Sequence, residues 1–172
     1  MLVNLSDVFS SQTKEMKMEV TLEMQIFDDG LQQYEILEKT PVSFRFTNIG
    51  VGKAKVEGSM ECKLQMQCDR CLKDVAKKIV VSFEENVSAP DVPLEDGDDQ
   101  FFMEGYSLNV EELVSNEILM SLPAKVICKP DCKGICKVCG SDLNLGECGC
   151  DTFVPDPRMA AIKDIFNANK EV

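Results

Sequence analysis

No histidine occurs among the 172 residues of this chain. Imidazole is the side chain that exchanges a proton near pH 7 and the usual activator of serine and cysteine nucleophiles. Ser-His-Asp and Cys-His catalysis are therefore excluded, and a metal bound here has no imidazole ligand to use. Long apolar runs are missing too: no stretch approaches the roughly 18 consecutive apolar residues of a spanning helix. The opening MLVNLSDVFS also lacks the charged start and apolar run of a secretory leader. These absences predict a cytoplasmic chain with no membrane partner. No pattern assembles a carboxylate pair or an open metal site, so neither catalysis nor a small-molecule substrate is expected.

What the chain has in quantity is acid and cysteine. Thirty Asp and Glu against 18 Lys and Arg give a formal charge of -12, but the surplus is local. Residues 84–117 carry eleven acids and no base, whereas residues 53–83 carry seven bases and four acids. A surface that faces RNA is thus compatible with the overall charge, as a weak electrostatic footprint on the 53–83 segment. The acidic stretch is either a solvated loop or a surface complementary to a basic protein.

Period-2 patterning dominates the first half. Met16, Met18, Val20, Leu22, Met24 and Ile26 alternate with polar residues, which predicts one half-buried strand, followed by a turn at Asp28-Asp29-Gly30. Val42, Phe44 and Phe46 repeat the alternation, and Asn48 to Gly52 interrupts it. Next comes a long strand with Ala54, Val56, Gly58, Met60, Cys62, Leu64, Met66 and Cys68 on one face. Gly58 within it predicts a bulge or bend. Ile79, Val81 and Phe83 form the returning arm of a hairpin.

Residues 88–100, rich in Pro and acid, read as a linker or mobile loop. A helix follows, with Asn109 as N-cap, Glu112 completing a capping box, Leu108 and Leu113 as a staple and Pro123 as the stop; Glu117 interrupts its apolar face. A last helix is expected from Asp156-Pro157, with Met159, Ile162, Ile165 and Phe166 on one face.

The expected class is α+β: a curved antiparallel sheet or small open β-barrel, with two C-terminal helices flanking a cysteine-rich metal module. Residues 1–90 are assigned to the β domain and 91–107 to an acidic linker. Residues 108–172 take the helix, the module and the C-terminal helix, packed on the β domain.

Six of the nine cysteines fall between positions 128 and 150. In a reducing compartment such a cluster points to metal or redox chemistry before a disulfide framework, and nine is an odd number. Cys136-Lys-Val-Cys139-Gly140 is a knuckle that presents two thiolates to one ion, and Cys148-Gly-Cys150 offers the second pair. Four thiolates close a tetrahedral Zn2+ site, making the ion structural, and zinc of this kind supplies on the order of 10 to 16 kcal/mol of apparent folding free energy. Cys128 and Cys132 are left over. Either they stand behind or alternate with those ligands, or two ions share bridging thiolates, or the cluster is iron–sulfur. Lys125, Lys129, Lys133 and Lys137 recur at every fourth position and either offset the thiolate charge or meet phosphate.

A second thiol group comprises Cys62, Cys68 and Cys71. Parity places Cys62 and Cys68 on the apolar strand face as small hydrophobes. The Cys68-Asp-Arg-Cys71 segment is open to three readings: a structural turn, a metal pair that lacks a clear second pair nearby unless the fold brings Cys62 or the module close, or a redox motif at the end of a strand instead of a helix N-terminus.

Taken together, "CDRCL" at 68–72, "LMSLP" before a cysteine, "DCKGICKVCGSDLN" followed by "CGC", and "DPR" at 156–158 resemble the YceD family of large ribosomal RNA subunit accumulation proteins, over residues 40–166. The family's signature positions correspond to Cys68, Arg70, Cys71 and Leu72. They continue with Cys128, Cys132, Gly134, Cys136, Cys139, Gly140, Leu143, Asn144, Cys148 and Cys150, and end with Asp156, Pro157 and Arg158. Ile135 stands where Leu is usual. The resemblance implies a role in making or protecting large-subunit ribosomal RNA, with no known catalytic residues. Many members lack the C-terminal cysteines, which implies that any zinc stabilises and does not carry the common function. The expected function is non-enzymatic support of large-subunit assembly, through precursor ribosomal RNA or a basic ribosomal protein. Arg70, Lys73, Lys77, Lys78 and Arg158 are the candidate contacts. The alternative is a thiol redox or metal-handling protein using Cys68 and Cys71.

Overall fold

The computed structural model of the protein describes residues 1–11, 15–93 and 100–151. In chain order its elements are β1 (Leu2–Asn4), α1 (Ser6–Ser10), β2 (Glu15–Val20), β3 (Ile26–Asp28), β4 (Gln33–Lys39), β5 (Val42–Gly50), β6 (Lys53–Gln67), β7 (Asp74–Ser88), β8 (Met103–Glu104), β9 (Ser107–Asn109) and α2 (Val110–Ser121). Every strand pairing among them is antiparallel.

The spine is the β6–β7 hairpin, two 15-residue strands paired without a slip from Lys53↔Ser88 to Gln67↔Asp74. Its register follows from parity. Every even position of β6 is buried, and Ile79, Val81, Phe83 and Val87 of β7 face the same core. On its other edge β6 is shared, by β5 along Lys53–Ser59 and by β4 along Cys62–Leu64. β2 and β3 extend those two partners outward, so the large sheet has six strands.

The structure departs from the expectation of one strand over residues 16–26. β2 ends at Val20 and β3 begins at Ile26, so the two segments pair with different neighbours, β5 and β4. Parity slips in between: Val20 and Leu22 are buried, yet Ile26 is exposed and Phe27 is buried in its place. A one-residue shift exchanges the two faces of a strand, so the break at 21–25 lets both segments bury an apolar residue.

Gly58 is not at a bulge. Registers run straight through it, Phe44↔Gly58↔Phe83, and the slips occur at Asn48/Gly50 and Ile36/Glu38. Its role is close approach: a Cβ there would lie 2.1 Å from Cζ of Phe83. That ring meets Phe44 edge-on with centroids 5.9 Å apart. The missing side chain therefore makes room for an aromatic pair.

The α2 helix begins as its cap chemistry requires. The Asn109 side-chain oxygen accepts the Glu112 N–H at 3.5 Å, and Leu108 and Leu113 are both fully buried. Against this helix and the sheet lies an N-terminal segment that patterning did not foresee, with Leu5 and Val8 fully buried and β1 paired to β9. Asn48 fastens α1 to β5 by donating to the carbonyls of Val8 at 2.7 Å and Phe9 at 3.2 Å. β4 and the short β8 were equally unforeseen. The acidic 88–100 stretch starts anchored: Ser88 closes β7, and Ala89 is buried and donates to the Gly52 carbonyl at 2.7 Å. The helix expected from Asp156 lies outside the described residues. No described helix is long and apolar enough to cross a membrane.

Candidate metal centres

The tip of the β6–β7 hairpin and the segment that follows α2 meet to form the first cysteine group. Cys68 and Cys71 come from the tip and Cys128 and Cys132 from the segment, and their four sulfurs lie within 4.8 Å of one another. The Cys68 and Cys132 sulfurs are 3.9 Å apart and those of Cys71 and Cys128 are 3.5 Å apart. The second group, Cys136, Cys139, Cys148 and Cys150, meets the same 4.8 Å limit. The six clustered cysteines therefore do not form one set. Cys128 and Cys132 stand apart from the outer ribbon, the 136–150 segment that carries this second group, and join the hairpin tip.

Local backbone explains each group. In the outer ribbon the Gly140 N–H donates to the Cys136 carbonyl at 2.8 Å, with Gly140 at φ 73°. Glycine reaches that left-handed region without penalty, and the turn aims backbone N–H groups of Val138 and Cys139 at the Cys136 sulfur. The hairpin tip repeats this turn: the Leu72 N–H donates to the Cys68 carbonyl at 2.9 Å, and Leu72 sits at φ 60°. The N–H groups of Arg70 and Cys71 point to the Cys68 sulfur in the same way.

The tip is also fastened sideways. Asp69 accepts the Val126 N–H at 2.7 Å, and its own N–H donates to the Val126 carbonyl at 2.9 Å. Arg70 donates to the Cys132 carbonyl at 2.8 Å while its own carbonyl accepts the Ile135 N–H at 3.0 Å. A side chain at Gly134 would strike that Arg70 carbonyl, 2.9 Å from a Cβ.

Titration of the thiols follows from these contacts. Burial pushes the Cys68 thiol up, but N–H groups from Arg70, Cys128 and Cys71 outweigh it and hold it down at about 6. Burial, reinforced by neighbouring thiols, drives Cys128 up to about 12. In the outer ribbon, contacts from the Ser141 hydroxyl and N–H bring Cys139 down to about 6, whereas Cys139 and Cys148 push Cys150 up to about 12. In each group some thiols ionise readily and others resist, because anions this close repel one another. A cation at the centre reverses that penalty. Asp142, hydrogen-bonded first by Lys73 at 2.6 Å and then by the Asn144 N–H, is held down at about 2.

The other expected site residues are dispersed. Cys62 lies buried in the middle of β6, opposite Ile79, and burial raises its thiol pKa; it joins neither group. Arg70 and Lys73 are engaged within the module, and Lys78 pairs with Glu61 at 2.7 Å. Lys77 is exposed on β7, and Arg158 lies outside the described residues.

Sequence reasoning missed Asp69, Asp142 and Asn144 as supports of the centres. It left open which thiols would join Cys68 and Cys71, Cys62 or the module, and the structure brings Cys128 and Cys132. The signal for that pairing was arithmetic: Cys136-Lys-Val-Cys139 uses up one Cys148-Gly-Cys150 pair, which leaves four cysteines besides Cys62. All-thiolate sets of this size and without imidazole fit zinc, whose sulfur distance of about 2.3 Å places tetrahedral sulfurs roughly 3.8 Å apart.

Comparison with known proteins agrees in location. The family described as large ribosomal RNA subunit accumulation protein YceD matches residues 56–166, a span that begins in β6 and includes both cysteine groups. Uncharacterized proteins of Mycobacterium tuberculosis and Mycobacterium bovis are each 25% identical over 119 residues, covering 67% of this chain and 57% of the relative. The chloroplastic large ribosomal RNA subunit accumulation protein YCED homolog 1 of Arabidopsis thaliana is 23% identical over 175 residues, covering 84% of this chain and 52% of the relative. The chain thus spans little more than half the length of these relatives. No solved structure matches it.

Proposed function

Because the chain belongs to the YceD family of large ribosomal RNA subunit accumulation proteins, we propose that it is a non-enzymatic ribosome-biogenesis factor that supports accumulation and assembly of large-subunit ribosomal RNA. The family match over residues 56–166 is the observation that carries this reading. Physical chemistry supports it. Four thiolates around one ion leave no coordination position for substrate or water, and the usual activator of serine and cysteine nucleophiles, imidazole, is missing from the sequence. In the outer ribbon, Cys136, Cys139, Cys148 and Cys150 hold a structural Zn2+. The β half, residues 1–90, is the scaffold, residues 108–172 carry most of the metal ligands, and the acidic 91–107 stretch that joins them includes β8 and the start of β9.

The partner in this reading is precursor ribosomal RNA, met by cations near the hairpin tip and module. Arg70, Lys73 and Lys78 already have internal partners, so the exposed Lys77, Lys125, Lys133 and Lys137 take most of the phosphate contact, with Arg158 as a further candidate. One observation favours a second partner, a basic ribosomal protein: the eleven acids and no base of residues 84–117.

The test is recovery of the full chain from cells under mild salt, with sequencing of bound RNA and identification of bound proteins. Enrichment of large-subunit precursors, reduced when Lys77, Lys133 and Lys137 are changed to Gln, supports the RNA reading. Enrichment of basic large-subunit proteins after nuclease treatment favours the second reading. Recovery of neither rejects both.

A further inference from the structure

The Cys68-Asp-Arg-Cys71 turn invites comparison with the knuckle of the outer ribbon, because the two agree atom by atom along the backbone. In each, the residue after the second cysteine donates its N–H to the carbonyl of the first, at 2.9 Å for Leu72 and 2.8 Å for Gly140. In each, that residue is left-handed, φ 60° and 73° respectively. In each, the first sulfur receives N–H groups from the second and third positions after it, and the second sulfur receives one from two positions on, Lys73 or Ser141. A left-handed leucine costs roughly 1–2 kcal/mol. Ordinary hairpin loops also close on a left-handed residue, usually Gly or Asn; what sets this turn apart is that it aims N–H groups at a sulfur surrounded by three other thiols, as the outer knuckle does.

We propose that Cys68, Cys71, Cys128 and Cys132 form a second, separate tetrathiolate site for a zinc-class ion, and that this ion clasps the segment after α2 onto the β6–β7 hairpin. Its sulfur pairs at 3.9 and 3.5 Å bracket the roughly 3.8 Å edge of a tetrahedral zinc–thiolate site. Outer partners are in place: the Cys128 N–H donates to the Cys68 sulfur at 3.3 Å and the Asn144 amide to the Cys132 sulfur at 3.5 Å. The ligands join positions 57 and 64 residues apart in the chain, so the ion closes a long loop that hydrogen bonds at Asp69 and Arg70 only align.

Access separates the two ions. Cys68, Cys71 and Cys132 are at most 6% exposed, and Val75, Ile127 and Ile135 pack around them. In the outer ribbon Cys139 is exposed. A chelator reaches thiolates it can touch, so the outer ion leaves first and the inner ion follows on the order of tenfold or more slowly.

The experiment is metal analysis of the full chain purified without a metal-affinity tag, followed by chelator-driven release monitored with a chromogenic zinc indicator. Two zinc ions per chain, released as a fast half and a slow half, are expected. C148S should remove the fast half, C68S and C132S the slow half, and C62S neither. One zinc per chain that disappears in C148S and survives in C68S overturns the inner site, as does an inner group that alkylates freely in the untreated protein. Should C68S fail to fold, cobalt titration of the metal-free wild-type chain decides. Thiolate-to-cobalt charge-transfer bands that grow to two equivalents support two separate sites, and saturation at one overturns them. These outcomes do not depend on any ribosomal partner, so failure here and failure of the RNA recovery experiment are distinguishable.

Discussion

The β6–β7 hairpin turns Val56, Leu64, Ile79, Val81 and Phe83 into a common core, whereas between residues 124 and 151 the buried side chains are only those of Val126, Cys132 and Cys136. One region is thus held by apolar area, at about 25 cal/mol per Å2 removed from water. The other has almost no area to remove, and its interior is sulfur. A segment of this composition cannot offset its own chain entropy by burial, so its order depends on ligation. The contrast teaches that the two regions have separate sources of stability within one chain, and that they should fail separately.

Removal of metal with a strong chelator under reducing conditions tests this most severely. Residues 124–151 are expected to become sensitive to protease and to lose amide protection, while the far-UV signal of the sheet persists. Loss of both together would show that the sheet needs the ions as much as the module does. Phe46→Ala attacks from the other side. Phe46 is fully buried and stacks on Phe44 with centroids 5.4 Å apart, so its truncation should cost about 3–5 kcal/mol in urea unfolding, with the zinc content of the folded protein unchanged. Gly58→Ala should cost about 1–3 kcal/mol, because the new methyl meets the Phe83 ring, and Phe83→Leu in the same chain should recover part of it.

Smaller effects sharpen the boundary between the regions. Leu72→Gly relieves the left-handed leucine at the hairpin tip and should stabilise the metal-loaded protein by about 1 kcal/mol, without changing its metal content. Glu117→Gln should stabilise by less than about 1 kcal/mol at neutral pH. Burial, and next the charge of Glu85, raises the Glu117 carboxyl pKa above its ordinary 4.5, so the folded state holds the proton more tightly than the unfolded chain. Stability contributed by that proton is complete below about 4.5 and is lost as pH rises through the folded value. The advantage of the Gln variant should therefore fade as pH falls below the carboxylate range; a constant advantage would point to altered packing.

Much of the sheet was legible because its signal is local. Parity along residues 54–68 and at Ile79, Val81 and Phe83 marks the inward face, and the hairpin follows from it. The α2 start was legible for the same reason, since Asn109 caps the N–H of Glu112, three residues on and within the first turn. β4 was missed because its burial is partial: Tyr34 and Ile36 are half-buried and Leu37 is exposed, leaving little alternation to see. The N-terminal segment was missed because a three-residue strand and a five-residue helix are too short to show a period, although Leu5 and Val8 are fully buried. Gly58 was read as a bend because the ring that needs its empty space lies 25 positions further on, at Phe83.

The cysteine groups divide along the same line. Spacing pointed to Cys136-Lys-Val-Cys139 with Cys148-Gly-Cys150, since a knuckle and a nearby thiol pair can reach one ion without help from the rest of the chain, but it left Cys128 and Cys132 as alternate or bridging ligands. Composition alone was enough to exclude imidazole and with it Ser-His-Asp and Cys-His catalysis. Which thiols stand beside Cys68 and Cys71 was a matter for the tertiary structure. Sulfurs 57 and 64 residues apart come within 4 Å only after β6 and β7 have paired through their full length and α2 has docked on β7, carrying Cys128 and Cys132 to the hairpin tip. Local spacing constrains what a few bonds can span; contact across such a separation is decided by the burial of the core that lies between.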